Sequence, residues 1–262
     1  MSLTPERADA LGAALYDARR TRVPIAPLTD ADPGLTMADG YLVQQAVVRR
    51  YLEAGDRVVG YKLGLTSRPM QEMLGVDSPD FAPVMASHVN ADGAAVAAAD
   101  YIAPRLEAEI ALVLGDELSG EDCTPLDVVR ATEGVVPALE LVDSRVADWR
   151  IKLPDTVADM ASSGAIVIGG RTTPVGDVDL RLLGMVFTRD GEVVATGAGA
   201  AALGNPAAAV AWLVRTLHPL GAALPAGSIV MTGALHAAVP VRAGETYRAE
   251  FDRLGAVTVR IV

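Results

Sequence analysis

The chain has 262 residues, a formal net charge of −11 and a hydrophobic content of 51%, which together are typical of a globular protein with one large domain or two modest ones. The acidic balance, without clustered Lys and Arg, argues against nucleic acid and anionic membranes as partners. The single cysteine excludes an internal disulfide framework and a multi-cysteine zinc site.

The first part of the chain predicts a small helical lobe. Thr4 and the following proline predict a capped helix that runs to about Arg20. Thr36 opens a second helix that ends at Gly55. We therefore expect a helical N-terminal lobe over residues 1–55 and a β-rich catalytic domain over residues 56–262.

The rest of the chain predicts many short strands with interspersed helices. A strand over 57–65 holds Lys62, a short helix follows over 67–74, and the Gly, Asp, Ser and Pro content of 75–83 predicts a loop. Strands are expected around Glu107 and around Glu140. Further predicted elements are a helical turn or ordered loop at 155–163, a hairpin over 185–196, a helix over 205–218, and strands at 228–232, 247–252 and 256–261. This pattern predicts an α+β fold with a mainly β core.

The location of the protein is predicted from two segments. The charged N-terminus lacks the apolar stretch of an export signal. Residues 193–214 carry no formal charge and are long enough to span a bilayer, but several glycines and an Asn-Pro pair interrupt them. We therefore expect a cytoplasmic protein without a membrane span.

Three glutamates lie in apolar strands, where isolated carboxylates are unfavourable. Glu107 and Glu109 are two residues apart, so they project from the same face of a strand. Glu140 lies in a second apolar run. Burying such charges costs several kcal/mol unless something offsets them, and Mg²⁺ or Mn²⁺ does so with hard oxygen ligands. The alternative is a solvated strand face that needs no ion.

Lys62 is a second unusual residue, since it lies in an apolar strand between two glycines. Glycine in a strand often marks the close approach of a ligand. The lysine would then hold a substrate carboxylate or transfer a proton, whereas the structural alternative is a lysine that reaches solvent from a sheet edge.

Two further segments are candidates with simple structural alternatives. Asp80 follows a proline, and aspartates there usually make turns. Ser162 and Ser163 offer hydroxyl donors for a carboxylate, or cap a helix.

Several of these segments together resemble the 2-keto-4-pentenoate hydratase group of the fumarylacetoacetate hydrolase superfamily. The resemblance covers nearly the whole chain. It is carried by the following segments: Gly60–Ser67, Leu74–Phe81, Pro104–Ala111, Pro137–Arg145, Asp155–Ser163 and Met231–Leu235.

The resemblance implies a set of site residues and a fold. Glu107, Glu109 and Glu140 match the family's Mg²⁺ or Mn²⁺ ligands. Lys62 and Asp80 match its acid–base residues. The implied substrate-binding positions are Leu65, Thr66, Ser162 and Ser163. The implied fold is a mixed β-roll with a smaller helical N-terminal part, and a homo-oligomer is expected, with a pentamer or decamer as the forms considered.

The implied reaction adds water to 2-hydroxypenta-2,4-dienoate and gives 4-hydroxy-2-oxopentanoate, in the meta-cleavage breakdown of aromatic compounds. Alternatives are 4-oxalocrotonate decarboxylase, a hydratase of a longer 2-oxo-dioate, and an inactive assembly partner. A pathway aldolase or decarboxylase is a candidate partner.

Three residues depart from the pattern of the family. Met160 stands where the family usually has Asn, and Asn205 stands where it often has His. His236 replaces a small residue. The first and third are expected to alter the substrate pocket.

Overall fold

The computed structural model describes residues 3–67, 71–72 and 75–262. The helices are α1 (Pro5–Thr21), α2 (Leu28–Ala31), α3 (Met37–Glu53), α4 (Pro125–Ala131), α5 (Leu153–Ala158) and α6 (Pro206–Leu217). The strands are β1 (Val58–Gly64), β2 (Asp80–Met85), β3 (Val89–Ala91), β4 (Ala94–Val96), β5 (Arg105–Leu114), β6 (Thr132–Val142), β7 (Ser163–Ile168), β8 (Gly184–Arg189), β9 (Glu192–Ala198), β10 (Ile229–Met231), β11 (Val239–Pro240), β12 (Thr246–Phe251) and β13 (Gly255–Ile261).

Two mixed sheets form the β-roll. Within the described residues, the larger sheet has the order β2-β1-β10-β5-β6-β7-β3, and β11 also pairs with β5. The smaller sheet has the order β4-β13-β12-β8-β9. The main core lies between the two sheets and α6, and includes Leu112, Leu139, Phe187 and Val257. These features confirm the predicted α+β class.

The N-terminal helices begin where the sequence predicts. Thr4 caps α1, and Thr36 and Asp39 form the predicted capping box of α3. Both helices share a hydrophobic cluster with Met85 of β2 and Ala158 of α5. The lobe therefore packs directly on the sheet that holds the glutamates, while the domain boundary at residue 55 stays a prediction.

The expected loop over 75–83 was wrong in its second half, because β2 begins at Asp80. Pro83 lacks an N–H donor, but β2 lies at the edge of the larger sheet, where proline is tolerated. The proline-rich connection near residue 30 also contains the short helix α2. The helix expected over 67–74 includes residues 68–70 and 73–74, which lie outside the described part.

Residues 193–214 divide into β9 without its first residue, a 3-10 turn and most of α6, which agrees with the predicted hairpin strand and helix. Across the described part of the chain, no helix is both long enough and apolar enough to cross a membrane.

Candidate metal and substrate site

The glutamates meet at a gap in the larger sheet. Strands β10 and β11 pair with opposite ends of the same edge of β5, so the middle of that edge faces the loop 232–238. Thr232 and Leu235 of this loop donate backbone hydrogen bonds to the carbonyls of Ile110 and Ala108. The loop therefore holds β5 in place on both sides of Glu109.

The strand register brings the three carboxylates together. Glu107 of β5 lies directly opposite Glu140 of β6. Ligand oxygens of Glu107, Glu109 and Glu140 all lie within 4.8 Å of one another. Glu109 and Glu140 are 0% exposed, which rules out a solvated face for them.

Several carboxylate oxygens have no hydrogen-bond donor. Glu109 Oε2 accepts from the backbone N–H of Gly233 at 2.8 Å. Within the described residues, Glu109 Oε1 and both oxygens of Glu140 are buried without a hydrogen-bond partner. Buried acceptors are normally satisfied, so this donor set fits a cation with oxygen ligands.

The electrostatics of the metal-free cluster point the same way. Burial and the charge of Glu140 raise the pKa of Glu107 to about 7. The same two causes raise the pKa of Glu109 well above its usual range. The protein therefore holds acids whose ionised form is unfavourable until a positive charge joins them.

Lys62 lies beside this cluster rather than at a solvent-facing sheet edge. It is 3% exposed, and its Nζ is 3.3 Å from Glu140 Oε2. Nζ also donates to the carbonyl of Ala161 at 2.8 Å. Burial lowers the pKa of Lys62, but the charges of Glu140 and Asp80 outweigh it and raise this pKa. Lys62 is thus a fixed cation.

Asp80 completes the group from the neighbouring edge strand. It is 1% exposed and pairs with Gly64 across β1 and β2. A Cβ on Gly64 would lie 2.1 Å from Asp80 Oδ1 and 3.4 Å from Lys62 Nζ, so glycine leaves the room these side chains occupy. Burial raises the pKa of Asp80, while Lys62 opposes the rise. Asp80 Oδ1 has no hydrogen-bond partner in the described chain.

The expected substrate-binding residues fall into two groups. Thr66 is close to Gly233, the loop residue that donates to Glu109. A Cβ on Gly233 would lie 1.9 Å from Thr66 Oγ1. Thr66 also lines a cavity of about 760 Å³. Leu65 precedes it in a left-handed conformation, with φ of 54°. Thr66 is therefore adjacent both to the cavity and to the loop 232–238, whose Gly233 N–H binds Glu109.

Ser162 and Ser163 lie elsewhere around the site. Ser162 is the last residue of a turn over Met160–Ser162, whose φ values are 55°, 49° and 56°. The left-handed conformation costs roughly 1–2 kcal/mol for each non-glycine residue. Ser162 Oγ is 3.2 Å from Thr156 Oγ1. Ser163 lines a small cavity with Arg145 and His88. Their contact with substrate stays a prediction.

The three departing residues have distinct environments. Met160 opens the left-handed turn, and Asn205 caps α6 by accepting from Ala207 N–H at 3.0 Å. His236 Nε2 accepts from the N–H of Ala108 at 2.9 Å, and its ring stacks on Phe187. His236 therefore supports β5 between Glu107 and Glu109.

Comparisons with known proteins agree with this geometry. Residues 46–262 match the fumarylacetoacetate hydrolase C-terminal family. The chain is 46% identical to 2-keto-4-pentenoate hydratase 2 of Dechloromonas aromatica (strain RCB), over 98% of this chain and 97% of that protein. It is 43% identical to 2-keto-4-pentenoate hydratase of Paraburkholderia xenovorans (strain LB400), over 97% and 95%.

A solved structure is similar over nearly the whole length. It is 4-oxalocrotonate decarboxylase from Pseudomonas putida G7, complexed with magnesium and adipate. The TM-score is 0.96 at 38% identity, and the match covers 99% of each chain. The hydratases are thus similar to this chain in sequence, and the decarboxylase is similar in both sequence and fold.

Proposed function

Because the chain belongs to the fumarylacetoacetate hydrolase family, we propose that it is a metal-dependent hydratase. Its substrate is 2-hydroxypenta-2,4-dienoate, and its product is 4-hydroxy-2-oxopentanoate. The observation that carries the proposal is the buried triad of Glu107, Glu109 and Glu140, with Lys62 and Asp80 beside it. The hydratases of 43% and 46% identity support the reaction type.

The triad would hold Mg²⁺ or Mn²⁺ through its carboxylate oxygens, which fits the buried oxygens of Glu109 and Glu140 that accept no hydrogen bond in the described chain. A bound divalent cation supplies Lewis-acid stabilisation of negative charge on a 2-oxo acid. Thr66, which lines the cavity, and the backbone at Leu65 are the groups proposed to orient the carboxylate end of the substrate.

Lys62 and Asp80 are the two side chains proposed to stabilise charge and to act on the water. Lys62 stabilises the negative charge at the enolate end of the substrate. Its ammonium group is held in place between Glu140 and the carbonyl of Ala161. The 2-hydroxyl group loses its proton and the far carbon gains one, which gives an α,β-unsaturated ketone. Asp80 then positions or deprotonates the water that adds to this conjugated system, using the oxygen that has no donor in the described chain.

The cavity lining favours a substrate with one carboxylate. Its described residues include no lysine or arginine that could bind a second carboxylate. Arg145 is not available to bind a second carboxylate, because it is bound to Asp159 and to the carbonyl of Ser163. Arg68 lies outside the described residues. A dioate would therefore find no cationic partner for its far carboxylate among the described lining residues, which disfavours it.

The runner-up is 4-oxalocrotonate decarboxylase, which the overlay with TM-score 0.96 favours. The test is to incubate the protein and Mg²⁺ separately with 2-hydroxypenta-2,4-dienoate and 2-oxohex-3-enedioate. We expect 4-hydroxy-2-oxopentanoate from the first and little CO₂ from the second. Release of CO₂ without hydration would overturn the hydratase assignment. The absence of both products would favour an inactive assembly partner.

We further propose that the protein acts in the cytoplasm as a homo-oligomer, a pentamer or decamer, in aromatic meta-cleavage catabolism. An aldolase or a decarboxylase of the same pathway is the proposed partner. Light scattering on the purified protein tests the assembly, and a monomer would contradict it.

A further inference from the structure

Arg145 is a buried arginine that the proposed chemistry does not use. It is 3% exposed and forms an ion pair with Asp159, which is 1% exposed. Its guanidinium also donates to the carbonyl of Asp159 and to the carbonyl of Ser163, the latter at 2.7 Å. One side chain therefore binds the residues directly before and directly after the left-handed turn Met160–Ser162.

The turn between these two carbonyls needs external support. All three of its residues have positive φ, and none is glycine. Such a conformation persists only where surrounding contacts hold it. The N–H of Asp143 also donates to the carbonyl of Ser162 at 2.8 Å. The N–H of Ser162 closes the turn on the carbonyl of Asp159 at 2.9 Å, and the guanidinium joins that same carbonyl to the carbonyl of Ser163.

The middle of the turn contacts the proposed active site. The carbonyl of Ala161 accepts the hydrogen bond from Lys62 Nζ, and this Nζ pairs with Glu140. The direction of the Ala161 carbonyl therefore fixes the ammonium group. If the turn relaxed to an ordinary conformation, this carbonyl would point elsewhere and Lys62 would lose its hydrogen bond to Ala161.

We infer that Arg145 is a positioning residue, which holds the left-handed turn so that the Ala161 carbonyl directs Lys62 toward Glu140 and the substrate. The inference rests on the proposed function for its kinetic consequence. The arrangement itself can be tested without turnover, because the reactivity of Lys62 reports how firmly it is held.

The test compares Arg145→Lys with the double variant Arg145→Lys, Ala161→Gly. Lysine keeps the positive charge beside Asp159. It lacks the planar guanidinium fork of arginine and therefore cannot bind both carbonyls at once. Glycine adopts positive φ without penalty, so the turn then needs less support. With saturating Mg²⁺, we expect Arg145→Lys to lower kcat at least tenfold with KM within about threefold, a loss of about 1.4 kcal/mol or more. The double variant should recover most of this loss.

The matched control is Arg50→Lys. Arg50 likewise binds both carboxylate oxygens and the carbonyl of one aspartate, Asp9, but it does so between α1 and α3. We expect wild-type kcat for this variant.

The second measurement is the acetylation rate of Lys62 by acetic anhydride, followed by peptide mass spectrometry. The rate should rise at least fivefold in Arg145→Lys and fall again in the double variant. Unchanged acetylation in Arg145→Lys would overturn the inference, whether or not the wild type is a hydratase. If Arg145→Lys does not fold, the double variant is expected to fold. Failure of the double variant to fold would also overturn the inference. A wild type without hydration, but with the expected acetylation pattern, would reject the proposed function alone.

Discussion

At the scale of single residues, the site is defined by charges that are buried before any ligand arrives. Two of the three glutamates are fully buried, and the lysine that faces them pairs with one of them. The metal-free protein therefore carries electrostatic repulsion that a divalent cation relieves. Removal of one carboxylate should therefore stabilise the metal-free protein while it removes the response to the metal.

We expect Glu109→Gln to raise the Tm of the metal-free protein by a few degrees, because a pKa well above the usual value means that the ionised acid destabilises the fold at neutral pH. Glutamine can still accept from Gly233 N–H. Addition of Mg²⁺ should raise the Tm of the wild type but not that of the variant. Calorimetry with and without Mg²⁺ measures both effects.

The control for this experiment is Glu133→Gln, an exposed glutamate on β6. Its Tm should respond to Mg²⁺ as the wild type does. A wild-type Tm that is insensitive to Mg²⁺ would contradict the metal site.

Asp80→Asn should lower hydration by about 10²–10⁴-fold, the usual contribution of a general acid or base. Binding of Mg²⁺ should stay close to wild type, because Asp80 is not one of the clustered ligands. Steady-state kinetics and metal titration provide the two readouts. Hydration near the wild-type rate would remove Asp80 from the mechanism.

At the scale of elements, the N-terminal lobe is connected to the site through α3. Gln44 uses its Nε2 to donate to the carbonyls of Phe81 and Val157, at 3.0 and 2.8 Å. Tyr41 accepts from the N–H of Phe81 through its hydroxyl and stacks on the Phe81 ring. Since Phe81 follows Asp80, α3 determines where β2 begins.

Gln44→Leu should therefore destabilise the protein by roughly 2–4 kcal/mol, because two buried carbonyls lose their donor. Denaturant unfolding measures this change. The matched control is Gln45→Leu at the next, exposed position, which should stay within about 0.5 kcal/mol of wild type. Equal stabilities of the two variants would show that α3 does not hold β2 in this way.

Sequence patterns predicted the strands well but not the contacts between them. The alternation around Glu107 and Glu109 indicated one shared face, and the structure confirms it. The pairing of Glu107 with Glu140 depends on the register between β5 and β6, which are separated along the chain by a connection that contains α4. No local pattern specifies this register. The left-handed turn gave no signal either, because Met160, Ala161 and Ser162 are not residues that favour positive φ.

The position of Asp80 shows a further limit of the sequence. Pro79 and Pro83 suggested a loop, whereas the edge location of β2 makes a strand compatible with the second proline. The supports at Gln44, Arg145 and His236 were not predicted, since their partners are backbone groups far away in the chain.

At the scale of the whole molecule, His88 lies where the N-terminal lobe meets the sheet. It shares a small cavity with Tyr51, Arg19 and Arg145. Burial and the charges of the two arginines lower the pKa of His88 to about 3, and Asp56 opposes this only weakly. The folded protein therefore holds this imidazole neutral.

The sign of the pH effect follows from linkage. Between pH 6.5 and about 3, the unfolded chain binds a proton at His88 that the folded protein does not bind, so stability falls as the pH falls through this window. From pH 7 to pH 5 the contribution is about 2 kcal/mol. Denaturant unfolding at both pH values should show His88→Gln losing less stability than wild type. An equal loss in both proteins would contradict the low pKa.

The central claim is that the three glutamates form a metal centre for a 2-oxo acid, and a calorimetric titration with oxalate tests it most directly. Oxalate mimics the chelating end of the substrate. We predict that the wild type binds oxalate only when Mg²⁺ is present, and that Glu140→Gln weakens this binding at least 100-fold, while Glu133→Gln binds as the wild type does. Oxalate binding that persists without Mg²⁺, or that survives in Glu140→Gln, would contradict the metal centre.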